Sequence, residues 1–196
     1  MRRKIVVVCF VLSCAAAFVS CNGKKRSIEA GKNYDSLFLG IKLGMAKQDF
    51  FDRCWELNSQ KIVTHGELNQ SVQYIMTSEL DKPVAMQFYP VFYKDKVMEM
   101  PVTFAFVGWA PWNKELGSDS LFVKMLPVFK KWYGQDFQTI QHDVMGTIHV
   151  KMDGNRRINL FVRDDQYVQA VFSDLRLLQE KKNEEEKNEK KETSSN

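Results

Sequence analysis

The residues with most chemistry to offer in this 196-residue chain are three histidines, His65, His142 and His149, and four cysteines, Cys9, Cys14, Cys21 and Cys54. No two histidines stand three or four positions apart, the spacing that brings two ligands to one helix face, so no zinc centre is expected. His149 shares strand parity with Lys151 and is expected to face solvent. The chain has no Gly-x-Ser-x-Gly elbow, no glycine loop of the kind that cradles phosphate and no dinucleotide fingerprint, so no cofactor is expected either. Asp153-Gly154-Asn155 and Asp164-Asp165 have the residue types of a calcium loop, but turn chemistry accounts for them and the EF-hand spacing is missing. Cys54 lies among Phe50, Phe51 and Trp55 with only Arg53 near enough to lower its pKa, which describes a buried structural thiol and not a nucleophile.

One loop is unusual for solvent. Gly108-Trp109-Ala110-Pro111-Trp112-Asn113 places two indoles three residues apart. Such aromatics either plug the edge of their own core or anchor a partner, a glycan or a bilayer surface. The strand before it ends at Gly108, which would carry the loop to a sheet end, where binding residues are often found. Trp109 and Trp112 are therefore the candidate binding residues, and no catalytic residue is nominated.

The first 21 residues read as an export signal. Arg2, Arg3 and Lys4 open it, residues 5–19 carry no charge, and Ser20 precedes Cys21. The apolar run is shorter than the roughly 20 residues a bilayer-crossing helix needs. Ala17-Phe18-Val19-Ser20-Cys21 resembles the lipobox of bacterial lipoproteins; Val11-Leu12-Ser13-Cys14 also reads as one but would leave apolar residues 15–19 in the mature chain. The resemblance implies cleavage before Cys21, acylation of its sulfur and amine, and residence in the cell envelope. Asn22 resembles the signal for sorting to the outer membrane with the domain facing the periplasm. Two or three acyl chains make attachment effectively permanent, since each buried methylene contributes about 0.8 kcal/mol.

Removing the signal changes the composition. It holds three of the 28 basic residues and none of the 24 acidic ones, so the net charge of +4 falls to about +1, and nucleic acid loses its compositional support as a partner. Cys9 and Cys14 leave with it, and with Cys21 acylated only Cys54 remains, so no intrachain disulfide is expected.

The elements that must position these residues follow from periodicity. Residues 1–20 are the signal, 21–33 an acylated cysteine and polar tether, 34–178 a single domain, and 179–196 a charged tail, either a helical extension or disordered. A short extended lead, residues 37–45, precedes a helix over 46–58 whose Phe50, Phe51, Cys54, Trp55 and Leu57 form one wide apolar stripe. The Gly-Ile-x-Leu-Gly-Met string and the polar-led helix after it resemble the opening of small outer-membrane assembly lipoproteins of the BamE type, which points to the same compartment. Period-two alternation then predicts strands over 61–65, 72–77, 84–93 and 97–107, with breaks at Pro90 and Pro101. A second helix is expected from Ser118 or Asp119 to Tyr133, kinked or divided at Pro127. Residues 147–152, 157–163 and 167–173 make a meander, preceded by a possible fourth strand over 137–143. The first hairpin turns at Asp153-Gly154, so that Ile148, Val150 and Met152 face Ile158, Leu160 and Val162.

The chain is thus expected to be α+β, an antiparallel sheet with two helices packed on one face, built as two successive helix-plus-meander units. The expected role is a non-enzymatic, membrane-tethered binding or scaffold protein of the envelope, meeting the membrane through covalent lipid and another envelope protein or a ligand through its domain. A lipid-anchored periplasmic hydrolase whose site is scattered in sequence is the alternative.

Overall fold

A computed structural model describes residues 33–193. Helix α1 (Lys47–Ser59) leads into strands β1 (Val63–His65), β2 (Val72–Met76), β3 (Val84–Phe88), β4 (Val91–Tyr93) and β5 (Lys96–Phe106). Helix α2 (Ser118–Tyr133) leads into β6 (Gln138–His142), β7 (Gly146–Asp153), β8 (Arg156–Val162) and β9 (Val168–Asp174), and α3 (Leu175–Thr193) follows without a loop. The protein is α+β: the strands form one antiparallel sheet in the order β1-β2-β3-β5-β9-β8-β7-β6, with β4 also paired to β5. The two meanders meet at β5 and β9, in register from Glu99↔Ser173 to Phe104↔Val168.

Tyr89-Pro90 breaks what would be one long strand into β3 and β4, as Pro90 predicted, and Lys94-Asp95 then reverses the chain with both residues at positive φ. Pro101 does not interrupt β5. The register leaves Met100 and Pro101 without a partner on the β3/β4 edge, between the residues paired to β4 and those paired to β3, and a residue lacking an N–H is tolerated at such a gap.

Neither α1 nor α2 has a side-chain cap. A turn from the adjoining meander supplies a carbonyl to each: Lys47 N–H donates to the Asp95 carbonyl at 2.8 Å, and Ser118 N–H to the Asp165 carbonyl at 3.0 Å. Each satisfies one of the four amides a helix start leaves open. Pro127 does not divide α2, which runs unbroken through it. The carbonyl Pro127 cannot serve belongs to Val123, which is 73% exposed, a position at which losing one helix bond costs least.

Leu121, Met125, Val128 and Phe129 of α2 share the core with Val102 and Phe104 of β5, Ile158 and Leu160 of β8, and Ala170 and Phe172 of β9. Phe129 is at its centre, with ring centroids 5.8 Å from Phe104 and 6.0 Å from Phe172. The lead segment belongs to this core, since Leu37, Ile41 and Leu43 are buried and the Phe38 ring meets Phe88 and Phe172. The fully buried aliphatic and aromatic side chains contribute about 1.5–3 kcal/mol each.

Three further expectations are corrected. The apolar stripe of α1 is not wholly buried: Phe50 and Leu57 are, Cys54 is half-buried, and Phe51 and Trp55 are exposed, Trp55 by 79%. Five apolar positions span more of the helix circumference than the β1 side can cover.

Among the described residues there are three α-helices and not two. Residues 179–193 continue the α3 helix, whose start is fixed by Leu177 in the fold and whose middle is tied to the β4–β5 turn. There Lys94 reaches Glu180 and Glu184, and the Tyr93 hydroxyl donates to Glu184.

The third correction concerns the β7–β8 hairpin. Its turn is Gly154-Asn155, one residue later than expected, and Asp153 pairs with Arg156. A two-residue turn at either position sets even-numbered β7 residues against odd-numbered β8 residues, so Ile148, Val150 and Met152 pair with Phe161, Asn159 and Arg157 and not with Val162, Leu160 and Ile158, although Ile148 is still buried. Lys151 now pairs with Ile158 and His149 with Leu160, on the side of the core, while Met152 is 54% exposed. His149 is therefore not solvent-facing by parity: its ring stacks on Phe122 at 4.9 Å.

Candidate functional site

The chain leaves β5 through Gly108, at φ +82°, and turns at once: Trp109 N–H donates to the Phe106 carbonyl and Asn113 N–H to the Ala110 carbonyl. A 3₁₀ turn, Lys114–Leu116, then brings Gly117 to the start of α2. Because Ser118 N–H is held by the Asp165 carbonyl, the loop is fastened to the β8–β9 turn. Between them is a cavity of about 330 Å³ walled by Trp109, Ala110, Pro111 and Val162. Asn113, Lys114, Ser118, Asp119 and Asp165 supply its polar lining.

The two candidate tryptophans part company here. Trp109 is half-buried and lines the cavity, whereas Trp112 is 86% exposed and is not among the residues that line it. Cys21, the other candidate residue, lies outside the described residues. Ser118, Asp119 and Asp165 carry no such signal in sequence, because their types and positions speak only of a helix start and a tight turn, and it takes the β8–β9 turn docking on α2 to gather them.

The other residues weighed for chemistry have structural roles. Cys54 is a free thiol in a mostly apolar groove between α1 and the β1–β2 hairpin, and burial pushes its pKa up to about 11 against a smaller opposing pull from Arg53. Its thiolate is therefore scarce at neutral pH. Burial, and then the charge of Lys130, hold the His149 pKa below its ordinary value, and its Nδ1 is 3.0 Å from the Thr139 hydroxyl. Asp164 accepts the N–H groups of Gln166 and Tyr167, the turn role expected of it. Asp153 is held by Lys151 at 2.9 Å and Arg156 at 2.8 Å. Among the described residues no three His, Cys, Asp or Glu side chains are grouped to hold a metal ion.

That polar cluster fastens the beginning of the domain. Arg156 donates to the Ser36 carbonyl and lies over the rings of Tyr34 and Tyr133, while Asn155 donates to Asp35 and accepts from Tyr34 N–H. Arg176 joins Asp35 to the buried Asp174. The segment following residue 33 thus enters at the β7–β8 turn, whereas loop 109–113 sits against the β8–β9 turn. These are opposite ends of β8, seven residues or about 20 Å apart.

The chain matches no protein-family model, no curated protein and no solved structure.

Proposed function

We propose that this chain is a lipid-anchored protein of the bacterial cell envelope, attached through Cys21, that binds another envelope component with loop 109–112 and performs no catalysis. In this reading α1 and α2 pack on one face of the sheet, and the end of β5 carries the loop to solvent. The observation that carries the binding surface is Trp112, an indole 86% exposed on a loop hydrogen-bonded into place at the mouth of a cavity. A large, rigid aromatic contributes contact area at small entropic cost, which makes it a typical interface anchor. The anchor itself rests on the lipobox resemblance.

With the tether entering at the β7–β8 turn, loop 109–112 lies at the other end of the domain and is offered to a component away from the point of attachment. Two experiments test the reading. Metabolic labelling with a clickable fatty acid is expected to mark the wild-type chain and Cys14→Ala but not Cys21→Ala; undiminished label on Cys21→Ala refutes the anchor. A photo-crosslinking residue at position 112 is expected to trap an envelope component in living cells, and the same residue at position 123 is not. Equal yields from the two positions refute the contact surface.

A further inference from the structure

We propose that the cavity between loop 109–113 and the start of α2 binds a neutral saccharide. The proposal rests on the reading of that loop as a contact surface and names the chemistry it contacts. Its volume, about 330 Å³, is at the small end of the range for ligand sites and suits one or two sugar rings. Ser118 is the built element: it is 3% exposed, it lines the cavity, and its hydroxyl has no hydrogen-bond partner among the described residues. The oxygen is not one of the buried unpartnered atoms, so it is reachable from outside the fold, and the cavity is what Ser118 lines.

The other polar groups select the ligand by sign. Lys114 and the first-turn amides of α2 beyond that of Ser118, which the Asp165 carbonyl already holds, are donors only. Asp119 and Asp165 are acceptors only, and among the described residues neither is in an ion pair. A cation would satisfy the carboxylates but meet Lys114 and the positive end of the helix; an anion would satisfy those and meet two carboxylates. A hydroxyl donates and accepts at once, so a polyol satisfies both sets without leaving a charge opposed. Trp109 completes the match, since the negative face of an indole attracts the polarised C–H face of a pyranose ring.

The test is titration of the full-length chain, in detergent, with glucose, N-acetylglucosamine, maltose and chitobiose, and with lysine amide and inorganic phosphate as ionic probes. Heat and tryptophan fluorescence are read together. At least one saccharide is expected to bind, neither ionic probe to compete, and Ser118→Ala and Asp165→Asn each to weaken binding about tenfold or more. Trp55→Phe, on the far helix, is expected to leave affinity unchanged. Circular dichroism confirms that each variant is folded, and the two polar variants keep the test valid should Trp109→Ala fail to fold. The proposal is overturned if no saccharide binds, if lysine amide or phosphate binds in preference, or if affinity is unmoved in both polar variants. Crosslinking from position 112 without saccharide binding would remove the ligand class alone and leave the contact surface standing.

Discussion

Exposure separates two tryptophans that look equivalent in sequence. Trp112→Ala removes a side chain that is 86% exposed and is expected to change folding stability by less than about 0.5 kcal/mol. Trp109→Ala uncovers a half-buried indole and is expected to cost about 1–2 kcal/mol, a fraction of the ~3–5 kcal/mol of a fully buried one. Urea denaturation of the two variants measures both; a large loss in Trp112→Ala would show that it packs in the fold. His149 makes a second residue-scale prediction. Its folded pKa lies below the ordinary value near 6.5, so below that pH the unfolded chain binds more protons. Stability from this group is fully present above pH ~6.5 and is lost as pH falls through the window down to the folded pKa. His149→Gln is expected to flatten that part of the stability–pH curve relative to wild type, and an unchanged slope would remove His149 as its source.

At the scale of elements, the β7–β8 register is the sharpest claim. Asp153 is the shared counter-ion of Lys151 and Arg156, whose side chains are 4% and 6% exposed. Asp153→Ala leaves two buried cations without it and is expected to cost about 3–5 kcal/mol. Met152→Ala, on the other face and 54% exposed, is expected to cost less than about 1 kcal/mol. The register read from residue types reverses this ranking, because it turns Met152 inward and Lys151 outward, so denaturation of the two variants decides between them. The reason the pattern misleads is specific: Ile148, Val150 and Met152 have the alternation of a buried face, but a turn of two residues places Lys151 and His149, not them, opposite Ile158 and Leu160.

At the scale of the molecule, the two meanders share one sheet through β5 and β9 and one core through Phe104, Phe129 and Phe172. Neither unit can expose its seam without opening the other. Unfolding is therefore expected to be a single transition in which circular dichroism and tryptophan fluorescence coincide. Phe129→Ala, at the centre of that shared core, is expected to lower stability by ~3–5 kcal/mol while the two probes still coincide. Separate transitions would show that the halves fold as independent domains.

Local properties of the chain are legible in the sequence alone. Helical spacing locates α1 and α2 to within a residue or two, and alternation with Gly, Pro and Asp breaks locates the strands, because backbone preference and amphipathic period act over a few residues. Two indoles just past a strand end mark loop 109–112 as a place of interest. Contacts between distant segments decide the rest. Whether Phe51 and Trp55 are covered depends on how much of α1 the β1–β2 hairpin reaches. Whether the residues after Leu178 are helical tail or coil depends on Lys94, some 86 residues away in sequence from Glu180. Whether Ser118 and Asp165 belong to one cavity depends on a turn docking on a helix start. Each of these is a pairing whose partners have no local signature, since a lysine, a serine or an aspartate looks the same in sequence whether it meets water or another part of the fold.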